Sequence, residues 1–196
     1  MIQFLKEKKR YKISTINLEY VREIREEVLY LNFSKSYARY EFDKHLKTIH
    51  YGLSRDDEII SILSLIENPC KYFLKKKTIQ IRGMATKLAY QRKGFGSILL
   101  EEVKRKMYEF MNYEILWCNS RLESIKFYEK NGFTATGDKF TIRDIGLHKV
   151  LYYKINKSQK IQNFIKISSK QKIITKKKLN KNLQGQLIQK MISLEI

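Results

Sequence analysis

The stretch Gln91-Arg92-Lys93-Gly94-Phe95-Gly96 sets two glycines and two cations directly before an apolar helical pattern. Backbone that comes close to an anion must lack Cβ atoms. The first N–H groups of a helix also have no partner inside the helix, and they face whatever lies in front of it. Gly94 and Gly96 meet the first condition, the helix that follows meets the second, and Arg92 and Lys93 add charge. The same residues equally suit a plain strand-to-helix turn in which glycine relieves strain. The stretch is not a Walker loop, because the Gly-Lys-Ser/Thr ending is absent. It is not a dinucleotide fingerprint either, since no third glycine or acidic ribose partner follows.

A second set of candidates is titratable. Tyr128 falls four residues after Ser124 in "SRLESIKFYEKNGF", so the two share one face of a helix. Its phenol is the polar tip of an apolar segment beside Phe127 and Phe133. Spacing alone leaves it open whether this is a packed core tyrosine or a proton donor. His50, His148, Glu41, Asp43 and Glu67 are candidate general bases, and each also reads as a surface charge or a satisfied polar group. Cys70 and Cys118 are the only cysteines. Isolated cysteines make neither a zinc pattern nor a disulfide framework. Cys118 follows Trp117 in an apolar strand and reads as packing, not as a nucleophile.

The elements that hold these residues follow from periodicity. "YKISTIN" reads as a first strand. Leu18, Val21, Ile24, Val28 and Leu31 recur at three and four residues, which predicts an amphipathic helix. "SKSYARYEFDKHLKT" reads as a short helix or helical loop. Two apolar runs flank the polar "RDDE" of Arg55 to Glu58 and predict a hairpin. "TIQIRGMATK" is the next strand, with Gly83 marking a bulge or a close backbone approach. A helix over about Gly96 to Asn112 is expected to bury Ile98, Leu99, Val103, Met107 and Phe110. "YEILWCN" is a short buried strand, and the Tyr128 helix closes at Asn131 and Gly132. "FTATGDKF" and "HKVLYYKI" form a final strand pair. Strands alternating with helices, then a closing hairpin, predict a mixed α/β domain.

The chain has 196 residues, 43% of them hydrophobic, and a formal charge of +20. That charge favours anionic partners. It is unevenly spread: residues 156–196 hold ten lysines, no arginine and one acid, Glu195. The domain is therefore expected over residues 1–155, with 156–196 a lysine-rich extension that is mobile or conditionally helical. No stretch approaches the roughly 20 apolar residues of a membrane span. The start, "MIQFLKEKKRYK", has too short an apolar run for a signal peptide. A soluble cytoplasmic protein is expected.

Several segments, taken together, resemble the GCN5-related N-acetyltransferase (GNAT) superfamily. Gln91 to Gly96 match its Q/R-x-x-G-x-G/A signature. "MAT" (Met84 to Thr86) lies where the family has a bulged, splayed strand. "SIKFYEKNGF" (Ser124 to Phe133) is similar to its A-x-x-F-Y-E-K-x-G-F helix and turn. "WCNSR" (Trp117 to Arg121) and "GLHKVLYYKI" resemble the W-C-N-A-R and G-I-P-H stretches of bacterial members. "VREIREEVL" and "EFDKH" resemble segments of the ElaA-like subgroup. The likeness covers roughly Tyr11 to Ile155. Leu88 and Leu147 stand where prolines are common, and Ser124 replaces an alanine.

This resemblance implies a GNAT-type acyl-CoA N-acyltransferase fold: a mixed central sheet with flanking helices. It implies an acetyl-CoA-dependent N-acetyltransferase, without metal, acting on an amine by direct attack in a ternary complex. The backbone of Arg92, Lys93, Gly94, Phe95, Gly96 and Ser97, with Gln91, would then hold the pyrophosphate. Met84 and Thr86 would offer backbone groups to the pantetheine arm. An N–H near Ala85 or Thr86 would meet the oxyanion. Tyr128 would protonate the leaving thiolate, and His148 is the leading candidate base. The acceptor pocket is expected from the first helices and the late strands near Arg143 and His148. An alternative is a non-catalytic protein of the same fold whose basic tail holds RNA, ribosomes or acidic membrane. The acceptor amine and the oligomeric state are not readable from the sequence.

Overall fold

The computed structural model describes residues 11–110 and 112–155. The lysine-rich extension expected over 156–196 and residues 1–10 of the start lie outside the described residues. A seven-stranded mixed sheet carries the fold. Its strands are β1 (Tyr11–Thr15), β2 (Ile49–Arg55), β3 (Glu58–Ile66), β4 (Thr78–Thr86), β5 (Ile115–Arg121), β6 (Thr134–Ile142) and β7 (Gly146–Lys154). Three α-helices flank it: α1 (Leu18–Leu29), α2 (Phe95–Phe110) and α3 (Ile125–Lys130). The strand order is β1-β2-β3-β4-β5-β7-β6. Every neighbouring pair is antiparallel except β4 and β5, which run parallel.

The local chemistry explains the turns. Asp56 and Asp57 both take positive φ, 48° and 72°, between β2 and β3. Two left-handed residues make the tight hairpin turn whose twist matches the strands, and aspartate tolerates that region. The segment between α1 and β2 winds into two 3-10 turns, Lys35–Ala38 and Glu41–Lys44, as the helical-loop reading anticipated.

Two helix faces differ in detail from the periodic expectation. In α1, Val21 and Ile24 are buried, but the helix stops at Leu29 and Leu31 is 70% exposed. The Tyr30 N–H caps the helix on Arg25 O at 3.1 Å. The Tyr30 ring then takes the inward place, packed against Phe33, Tyr37 and Tyr40. In α2, Leu99, Leu100, Val103 and Met107 are buried while Ile98 is half exposed. The buried stripe is centred one residue later, because both Leu99 and Leu100 face the sheet. They join Leu63, Leu65, Ile79, Ile81, Leu116 and Leu151 in the main core. This core fixes α2 and α3 against β4 and β5, the strands that frame the site.

Candidate active site

β4 and β5 pair only from Thr78–Ile115 to Ile81–Cys118. Beyond that point β4 continues to Thr86 without a partner on that side. On its other side β4 carries a bulge against β3. Ile62 lies opposite Ala85 and Ser64 opposite Arg82, so β4 spends one extra residue there. Gly83 absorbs the distortion with φ +57°. A Cβ at this position would run into the Arg25 side chain and the Tyr40 ring, so glycine is required twice over. The result is a wedge between two strands of one sheet, floored by the end of β4.

The turn Gln91 to Gly96 follows directly. Arg92 (φ +60°) and Gly94 (φ +86°) are left-handed, and a Cβ on Gly94 would meet open space. The first helical bond runs from Ile98 N–H to Gly94 O at 3.0 Å. The N–H groups of Phe95, Gly96 and Ser97 thus precede it at the positive end of the α2 dipole. The Gln91 side chain donates to Thr86 O at 2.9 Å and ties the turn to the end of β4. A cleft of about 350 Å³ runs beside these parts. Met84, Ala85, Thr86, Gln91, Arg92, Phe95 and Gly96 line it, with Phe127 and Tyr128 opposite. Lys93, Gly94 and Ser97 do not line it, and Lys93 Nζ turns back to Ala89 O at 2.8 Å. The wedge, the glycine access and the unpaired N–H groups fit an elongated cofactor with a diphosphate near one end.

Tyr128 is both packed and placed at the cavity. It is 8% exposed, with T-shaped contacts to Phe127 and Phe133 at 5.2 and 5.3 Å. Its hydroxyl points to Met84 Sδ at 3.8 Å. Burial, with Cys118 beside it, raises the phenol well above its ordinary range, so it stays protonated. Burial likewise pushes the Cys118 thiol up to about 12. A thiol held neutral is a poor nucleophile, which agrees with the packing role read for Cys118.

A second cavity, of about 140 Å³, adjoins the first. Leu29, Met84, Ser124 and Tyr128 line both. His148 also lines the smaller one, at 4% exposed. Its Nδ1 lies 2.8 Å from Gly146 O. A carbonyl only accepts, so Nδ1 carries a proton, and in the neutral ring Nε2 is the nitrogen that can accept one. The structure thus brings Tyr128 and His148 to one cavity wall from different elements, α3 and β7.

The other base candidates are elsewhere. Asp43 is buried in an ion pair with Arg25 at 2.8 Å. His50 donates from Nε2 to Asp43 O at 3.0 Å and accepts at Nδ1 from Ser64 Oγ at 2.7 Å. Both nitrogens are occupied, and burial lowers the pKa of the ring. Glu67 is exposed and pairs with Lys47 at 2.7 Å, and Glu41 is exposed. None of the four lines the smaller cavity. Arg143 does not line it either; its side chain is 96% exposed, and Ile142 and Ile145 take the expected place.

Sequence reasoning missed two groups. Arg25 is fully buried; it donates to Asp43, Ala38 O and Ser64 Oγ, and its guanidinium lies 3.9 Å from the Tyr40 ring centroid. The signal was available, because Arg25 falls four residues after Val21 on the apolar stripe of α1. Arg82 and Arg121 line the smaller cavity. Neither residue type nor spacing distinguishes them from surface arginines.

Family and fold together support an acyltransferase. Residues 18–133 match the acetyltransferase (GNAT) family, and the chain belongs to that family. It is 30% identical over 147 residues to the uncharacterized N-acetyltransferase YitI of Bacillus subtilis (strain 168), covering 75% of this chain and 98% of that protein. Among solved structures it is similar to FeeM, an N-acyl amino acid synthase from uncultured soil microbes. There the TM-score is 0.64 at 13% identity, over 75% of this chain and 92% of that one. An aminoglycoside 6'-N-acetyltransferase complexed with coenzyme A gives a TM-score of 0.59 at 10% identity, over 74% and 97%. At these identities the structural likeness speaks for the fold alone. Among the described residues no cluster of three or more His, Cys, Asp or Glu side chains could hold a metal ion. No described helix is long and apolar enough to cross a membrane.

Proposed function

We propose that this protein transfers the acetyl group of acetyl-CoA to a primary amine by direct attack in a ternary complex. The observation that carries this is the junction of the two cavities at Leu29, Met84, Ser124 and Tyr128. The larger one takes the donor along β4 and the turn, and the smaller one takes the acceptor.

In this reading the N–H groups of Arg92 to Ser97 bind the pyrophosphate, with Gly94 and Gly96 giving access and Arg92 adding charge. The open edge of β4 at Met84 and Thr86 pairs with the pantetheine amides as a strand would. An N–H near Ala85 or Thr86 meets the charge that develops on the thioester oxygen. His148 Nε2 accepts the proton from the attacking amine. The C–N bond forms, the C–S bond breaks, and the Tyr128 phenol protonates the departing sulfur. The phenol is kept protonated by its buried setting, so it has a proton to share as charge develops on the sulfur. Cys118, held neutral by its surroundings, does not enter.

The reaction belongs in the cytoplasm. The resemblance of "VREIREEVL" and "EFDKH" supports an ElaA-like member. Residues 1–155 are taken as the catalytic domain, with 156–196 appended. A thermal-shift titration with acetyl-CoA, followed by thiol release on an amine panel, tests the reading. Truncation after Ile155 tests the boundary. The reading fails if millimolar acetyl-CoA gives no stabilisation.

A further inference from the structure

We infer that the acceptor is a small amine that also carries a carboxylate, held by Arg82 and Arg121. This rests on the acetyl-transfer reading above and adds the class of substrate.

The smaller cavity has an unbalanced charge. Arg82 and Arg121 line it and no aspartate or glutamate does. The nearby Arg25 is neutralised by Asp43, with both carboxylate oxygens within 2.9 Å of Nη1. Arg82 has no such balance. Its guanidinium lies 4.5 Å from the Tyr40 ring centroid, and among the described residues it has no hydrogen bond or carboxylate partner. Stacking on a ring uses the face of a guanidinium and leaves its N–H fork free, and that fork matches a carboxylate. Arg121 gives one N–H to Leu29 O at 3.0 Å, which anchors it and leaves further donors. Asn119 and Ser120 add polar groups to the same wall.

Charge decides among acceptor classes. A polyamine or aminoglycoside would bring several ammonium groups against two guanidinium groups with no carboxylate to meet them. In a partly enclosed site that repulsion is poorly screened. A simple amine would strip water from Arg82 and give nothing back. An amine with a carboxylate supplies the missing anion and leaves its nitrogen for Tyr128 and His148. The arginines also favour the neutral form of that nitrogen, which is the form that attacks.

Size and reach agree. The cavity of about 140 Å³ compares with the ~150 Å³ that holds one benzene. Arg82 precedes Met84 by two residues on β4, a separation of at most roughly 7 Å along the chain. A molecule with a few bonds between amine and carboxylate spans that distance.

The test uses the full chain with acetyl-CoA and follows thiol release. The acceptors are the twenty L-amino acids, their carboxamides, spermidine, kanamycin and a lysine-containing peptide. At least one free acid is expected to react with a kcat/KM tenfold or more above its carboxamide. Arg82→Gln is expected to raise the KM for that acid at least tenfold, leave the KM for acetyl-CoA unchanged, and erase the preference over the carboxamide. Arg82→Lys keeps the charge without the fork and is expected to fall between. Equal use of acid and carboxamide, preference for spermidine, kanamycin or the peptide, or no reaction with any acid while acetyl-CoA binds, each overturns the inference alone. A KM for the acid that Arg82→Gln leaves unmoved also overturns it. Absence of acetyl-CoA binding overturns the acetyl-transfer reading beneath it. Should Arg82→Gln not fold, the wild-type comparison of acid with carboxamide decides.

Discussion

The Tyr128 hydroxyl reaches across the wedge to Met84 Sδ, 3.8 Å away, and so joins α3 to the bulged end of β4. The larger and smaller cavities meet at this contact. A phenol–thioether contact at that distance is weak, while the ring is held firmly by Phe127 and Phe133. Packing and chemistry therefore separate in one side chain. Tyr128→Phe keeps the ring contacts and loses the proton. Turnover is expected to fall about 10²–10⁴-fold, with acetyl-CoA affinity kept and Tm little changed. Calorimetric titration beside steady-state kinetics checks this, and unchanged turnover would return Tyr128 to the core.

His148 offers a parallel test. An asparagine amide can replace Nδ1–H as donor to Gly146 O but supplies no basic nitrogen. His148→Asn is expected to fold, to bind acetyl-CoA normally and to lose about 10²–10⁴ in kcat. A variant with wild-type kcat assigns the proton to another group.

Gly83 tests the wedge. Gly83→Ala must place a Cβ at φ +57° against Arg25 and Tyr40. A destabilisation of about 1–3 kcal/mol is expected from the strained backbone, together with weaker acetyl-CoA binding as the end of β4 shifts. Denaturant melts and donor titration report the two effects. If stability falls and donor affinity holds, the bulge is only structural.

Arg25 carries a larger structural charge. Removing it strands Asp43 in the interior with no cation to meet it. Arg25→Ala is expected to cost about 3–5 kcal/mol in urea melts, the range seen for broken buried pairs. A cost under 1 kcal/mol would mean that water reaches Asp43.

His50 predicts a pH dependence. Burial lowers its folded pKa below the unfolded value, so the unfolded chain binds the proton more readily. Stability is then full above the unfolded value near ~6.5 and falls as pH drops towards the folded pKa. Glu58, Glu67 and Glu102 have lowered pKa values and remain ionised through this window. Tm is expected to fall between pH 7 and pH 5, and His50→Gln to flatten that slope. An identical slope in the variant places the dependence elsewhere.

Much of this was legible in the chain. The hairpin at Arg55 to Glu58 came from polar turn residues between β-rich runs, because turn chemistry is local. The order of strands and helices came from periodicity, which reports only which face of each element is apolar. Periodicity also misled where tertiary packing intervened. Leu31 kept the spacing of α1 but lies past the helix end, since Tyr30 found a better place among aromatic rings.

By itself the sequence determined the family, the glycine turn that opens α2, and the position of Tyr128 on α3. These rest on residues close in sequence, whose spacing carries over directly into geometry. Tertiary structure alone decided which candidates share a cavity. It set His148 and Tyr128 on one cavity, tied up His50 and Asp43 around Arg25, and brought Arg82 and Arg121 to that same cavity. Those relations join α1, β4, β5, α3 and β7 across the sheet. Strand order and the early parting of β4 from β5 create them, and neither is a property of any short stretch of chain.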